Sequence, residues 1–81
     1  MRKALVRINQ TIEVALELGI ASLPPVIPEF SIEHLLDMQT RANTNAHDMS
    51  DEKLNRWLGW IQAAVVASGV MNLEDVKTIN R

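Results

Sequence analysis

The chain has no cysteine and no tyrosine among its 81 residues, and only one phenylalanine. Without cysteine, neither a disulfide nor a thiolate zinc site can brace the fold. Glycine and proline number 3 each. No glycine-rich phosphate loop, CxxC or HExxH motif occurs, so no cofactor and no metal is expected. An excess of one charge is also missing: 8 Lys and Arg face 10 Asp and Glu, a formal net charge of -2. That balance removes the strongly basic surface that is the simplest argument for nucleic-acid binding. Long apolar runs are absent too. The most apolar stretch, Trp57 to Ala67, contains Gly59 and Gln62 and falls short of the roughly 20 residues a membrane span needs. Met1-Arg2-Lys3-Ala4-Leu5-Val6-Arg7 opens like a secretion signal, but Asn9, Gln10 and Glu13 interrupt the apolar centre such a signal requires.

What is present is helical periodicity in a single domain, residues 1–81. The expected fold is all-α, a small bundle of four helices over about 3–18, 31–43, 51–68 and 73–80. In the first, Leu5, Ile8, Ile12, Ala15 and Leu16 recur at steps of three and four residues, the period of one buried helix face. Gly19 stands where a left-handed residue ends a helix, and Ile20 can fold back on the last turn. Arg2, Lys3 and Arg7 lie at the positive end of the helix dipole, so this turn must fray or be held from elsewhere. Ser31, Ser50 and Asn72 each precede an apolar-periodic segment and read as N-caps, which removes them as nucleophile candidates. Phe30 with Leu35, Met49 with Leu54 and Met71 with Val76 occupy staple positions around those caps. Gly69 ends the third helix, with Val70 placed to pack back on Val65. The second helix weakens at Asn43-Thr44-Asn45, residues that favour local side-chain hydrogen bonds.

Pro24, Pro25 and Pro28 make residues 21–29 an extended linker after the first helix. Val26 and Ile27 are too apolar for a free linker, so they are expected to lie across one edge of the core. The Pro25-Val26-Ile27-Pro28 spacing also matches a ligand for an aromatic groove, a pattern that recurs by chance.

The third helix is the most informative segment. Its residues Trp57-Leu58-Gly59-Trp60-Ile61-Gln62-Ala63-Ala64-Val65-Val66-Ala67-Ser68 are apolar nearly all round. Such a helix sits in the middle of a core or is shared with another chain. Gly59 and Ala63, four apart, allow a neighbouring backbone to come close. Trp57 is expected in the core, whereas Trp60, with Arg56 nearby, suits a core anchor or a partner hot spot equally. Val6, Val14 and Leu18 exceed what one core-facing stripe of the first helix can bury. The surplus points to self-association, most simply as a homodimer, or to a hydrophobic partner. The partner-binding set is accordingly Arg56, Trp57, Trp60, Ala63, Ala64 and Ala67.

Chemistry has few candidates. His34 with Glu33 and Asp37, at a helix start, reads as a solvated surface favoured by the dipole, since a metal or acid–base site needs more converging groups. His47-Asp48, in a loop, reads the same way. No enzyme is expected. The rival reading is a helix-turn-helix DNA-binding regulator using residues 61–81, with Lys77, Thr78, Asn80 and Arg81 as contacts. Glu74 and Asp75 at the front of its recognition helix oppose it.

The stretch Ser50-Asp51-Glu52-Lys53-Leu54-Asn55-Arg56-Trp57-Leu58-Gly59-Trp60-Ile61-Gln62, followed by Gly69-Val70 and Leu73-Glu74-Asp75-Val76, resembles a segment of small accessory proteins of tailed bacteriophages and prophages. The resemblance spans residues 50–76, under half of the chain, and brings no assigned activity. It implies a protein made in the cytoplasm of an infected bacterium and binding a host protein. The absence of cysteine and of an export signal fits that setting.

Overall fold

The computed structural model describes residues 2–81. Four α-helices and no strand are found among them: α1 Lys3–Glu17, α2 Ile32–Asn45, α3 Asp51–Ser68 and α4 Leu73–Asn80, with 3-10 turns at Ile20–Ser22, Pro28–Phe30 and Ala46–Asp48. The all-α bundle read from periodicity is therefore the fold. The caps act as their chemistry requires. Ser31 Oγ accepts from the His34 N–H at 3.2 Å, and Ser50 Oγ accepts from the Lys53 N–H at 3.1 Å. Asn72 and Asp75 form a reciprocal capping box at 2.9 and 3.0 Å. Gly19 and Gly69 are both left-handed, with φ of 92° and 87°.

α1 touches each of the other three helices, so the centre is the α1–α3 pair rather than α3 alone. Ile8, Ile12 and Ala15 from α1 meet Leu54, Leu58, Ile61, Ala64 and Val65 from α3, with Leu35 and Ala42 of α2 closing the core. The poorly charged start of α1 is held from elsewhere. The Arg2 guanidinium donates to the carbonyl oxygens of Ala46 and Met49 and, at 2.6 Å, to the Asp51 carboxylate. One side chain thus ties the first turn of α1 to the α2–α3 connection. Arg7 donates to the Asn80 carbonyl at 2.6 Å, a cation placed at the negative end of α4.

Several local expectations differ from what is found. α2 continues through Asn43 to Asn45, because Asn43 exchanges side-chain amide hydrogen bonds with Asn9 of α1 at 2.8 and 3.1 Å. At the end of α3, the Gly69 N–H donates to the Val66 carbonyl at 3.0 Å, one of the two hydrogen bonds of a Schellman turn, and the Ser68 hydroxyl takes the place of the other. It donates to the Val65 carbonyl at 2.6 Å and accepts from the Val70 N–H at 3.3 Å. Residues 21–29 are not one extended piece, since 3-10 turns occupy both ends. Nor do Val26 and Ile27 cover the core: Val26 is 66% exposed and Ile27 is exposed as well. Of the two settings open to an apolar helix, the middle of its own core is not the one found for α3, which is not wrapped on all sides by this chain. Gly59, Trp60, Ala63 and Ala67 form an open face, and a Cβ added at Gly59 would meet nothing within 4 Å, so no backbone of this chain approaches there.

Candidate functional site

α2 and α3 touch each other sparingly, and the Pro28–Phe30 turn contacts both. The result is an open groove of about 400 Å³ lined by His34, Asp37, Met38 and Arg41 from α2 and by Arg56, Trp57 and Trp60 from α3. Helical spacing explains the lining. Residues 34, 37, 38 and 41 recur at three- and four-residue steps, as do 56 or 57 and 60, so each helix presents one edge. Met38 is nearly buried and belongs to the core that floors the groove.

Both indoles lie here. Trp57 is half-buried against the core, with the Lys53 ammonium 5.6 Å from its ring centre, within reach of a cation–π attraction. Its position is therefore shared between core and groove, not purely core. Trp60 is 40% exposed. Phe30 meets it edge to face, with ring centroids 5.1 Å apart, a favoured aromatic geometry. That contact fixes the indole while leaving much of it in water.

The polar groups at the rim do not converge on one point. Asp37 pairs with Arg41 at 2.9 Å, one turn along its own helix, and not with His34. Among the described residues Arg56 forms no ion pair, and no three acidic, His or Cys side chains gather as a metal site would require. His47 lies 3.4 Å from Asp48 on the exposed turn joining α2 to α3 and does not line the groove. What the groove offers is an apolar floor with a cationic edge.

The partner-binding set read from sequence is divided by the fold. Arg56, Trp57 and Trp60 line the α2–α3 groove. Ala63 and Ala67 instead line a separate groove of about 340 Å³ with Gln62, Val66, Leu73 and Val76. Ala64 is fully buried, because it falls beside Ile61 and Val65 on the face turned to α1, and it cannot touch a partner. Sequence reasoning missed the α2 side of the groove. His34 and Asp37 were visible there as sharing a helix face, but nothing in the pattern told which face of α3 they would oppose.

The proposed DNA-contacting residues of α4 are partly engaged inside the chain. Asn80 turns inward, where its amide exchanges hydrogen bonds with Gln62 at 2.8 and 3.0 Å. Gln62 also donates to Thr11 at 3.3 Å, and the Thr11 hydroxyl donates to the Arg7 carbonyl at 2.7 Å. The Thr78 hydroxyl donates to the Glu74 carbonyl at 3.0 Å. Glu74 and Asp75 are exposed at the front of the helix.

Of the surplus apolar residues, Val6 and Val14 on α1 are half-buried, and Leu18, just past its end, is 52% exposed. Among the described residues, no helix is long and apolar enough to cross a membrane. No family model, no curated protein and no solved structure matches the chain.

Proposed function

We propose that this chain is a non-enzymatic protein-interaction module. On this reading it is encoded by a phage or prophage, works in the bacterial cytoplasm, and binds itself, a host protein or both through the surface centred on residues 54–67. The observation behind it is the half-exposed Trp60 indole, locked by Phe30 at the mouth of an apolar groove with Arg56 beside it. Trp and Arg in such settings dominate binding energy because a large rigid ring and a planar cation lose little entropy on contact. The phage origin is supported only by the resemblance over residues 50–76.

The test is capture from bacterial lysate by immobilised protein, compared with Trp60→Ala. Truncation of a hot-spot Trp is expected to cost about 2 kcal/mol or more of binding, roughly thirtyfold in affinity. Circular dichroism must show the variant still folded. Capture unchanged by the substitution would remove Trp60 from the interface. The regulator reading is tested by gel shift against random duplex at low salt. No retardation is expected with Glu74 and Asp75 leading α4, and strong salt-sensitive retardation would favour DNA binding instead.

A further inference from the structure

The groove between α2 and α3 specifies its ligand by two features. The floor of Met38, Trp57 and Trp60 accepts an apolar side chain. The edge is cationic: Arg41 is balanced by Asp37, and Arg56 remains without an ion pair among the described residues. A positive edge in a chain of net charge -2 calls for a ligand that places an acidic group next to an apolar one.

The chain itself contains such a segment. Residues 21–29 are all exposed, and Leu23, Val26 and Ile27 are among the most exposed large apolar side chains of the molecule. Glu29 follows two residues after Ile27. Pro24, Pro25 and Pro28 suit this strap to burial, because they have no N–H to leave unsatisfied and little backbone freedom to lose. The strap does not fill its own groove, whose walls come from α2 and α3 alone. Yet the two are neighbours on one face, since Phe30, directly after the strap, sits against Trp60. A patch bearing a segment and its receptor side by side becomes self-complementary when turned on itself about a two-fold axis, and it closes at two copies.

We propose that two copies of this chain pair through this face, the strap of each lying in the α2–α3 groove of the other, with Val26 on the indoles and Glu29 against Arg56. The inference rests on the interaction-module reading and names the partner as a second copy. Strap and groove together are smaller than the roughly 20–30 residues per side of a standard interface, so the pairing is weak and depends on concentration.

Sedimentation equilibrium of the full chain over a dilution series reaching about 1 mM tests it. A monomer–dimer equilibrium is expected. Both tryptophans of the sequence line the groove, so their emission should shift to the blue as concentration rises. Val26→Asp, Glu29→Arg and Arg56→Glu should each raise the dimer dissociation constant about tenfold or more. Combining Glu29→Arg with Arg56→Glu should recover much of the loss. All three positions are exposed, so thermal melting of the dilute monomer should not change. A monomer at every concentration overturns the proposal, as does a dimer indifferent to all three substitutions. If a monomer still captures a host protein in a Trp60-dependent way, self-pairing fails while the interaction-module reading stands.

Discussion

The two sides of α3 are built on opposite principles. On the inner side, Leu54, Ile61 and Val65 are fully buried, and the single amide that reaches the core, Gln62, is answered by Asn80 and Thr11. Among the described residues, no buried side-chain nitrogen or oxygen is left without a partner. On the outer side, Trp60 and Ala63 face water, Trp57 is only half covered, and Arg56 forms no ion pair among the described residues. The inner side satisfies every group within one chain, whereas the outer side leaves apolar surface and charge unmatched. The cause is geometric. α4 has only 8 residues, and α2 meets α3 sparingly, with the turn bearing Phe30 contacting both, so neither covers the outer face. A small bundle can seal about one flank of its most apolar helix, and the other flank is left for something else.

Ile61→Ala gives the largest effect that can break this contrast. A fully buried isoleucine truncated in a packed core costs about 2–5 kcal/mol. In a domain of this size that lowers the melting temperature by roughly 10 °C or more. Trp60→Ala, made on the outer side, leaves no enclosed cavity and should cost less, about 1–2 kcal/mol from the edge-to-face contact with Phe30 and the partial burial. Melting curves of the two variants side by side decide the matter. If Trp60→Ala melts as early as Ile61→Ala, the indole is a core residue and the outer side is no site at all.

The polar half of the comparison is tested at Asn80. Replacing it with Ala strips Gln62 of a donor and an acceptor at a part-buried position, at a cost of about 1–3 kcal/mol. A double-mutant cycle with Gln62→Ala should show coupling, because the second truncation removes the group left unsatisfied by the first. Denaturant titration of the four proteins measures it. Additive losses would mean that water replaces the missing partner and that the inner side is wetter than its burial implies.

Most of the architecture was legible from local chemistry, because helix ends are decided within a few residues. Ser31, Ser50, Asn72, Gly19 and Gly69 each act through neighbours no more than three positions away. The residues that were misread are those whose role is set by a distant segment. Asn80 looks like a DNA-contacting residue until α3 and α4 are brought together, where it meets Gln62, 18 positions away in sequence. Asn43 looks like a helix breaker until Asn9 meets it from α1. Val26 and Ile27 look like core residues, yet both stay exposed in the strap. On α3 the difficulty was different: a helix apolar all round does not announce which side is sealed, so Ala64 was grouped with Ala63 and Ala67. Only the position of α1 separates them.

Gly59→Ala produces the smallest effect and sharpens the contrast most. Glycine in mid-helix costs about 1 kcal/mol against alanine because of the backbone freedom it must give up. Nothing in the chain requires glycine there, since φ at Gly59 is not positive and an added Cβ meets open space. The isolated protein should therefore gain about 1 kcal/mol of stability, read as a rise of roughly 4–8 °C in melting temperature. The same substitution then reports on the outer face, through the affinity measured alongside the melt. If a partner's backbone comes close along Gly59, the new methyl group weakens association even as it stabilises the monomer. If it improves stability and leaves association unchanged, contact is confined to the groove at Trp57 and Trp60, and the Gly59–Ala63 line is only an uncovered part of the helix.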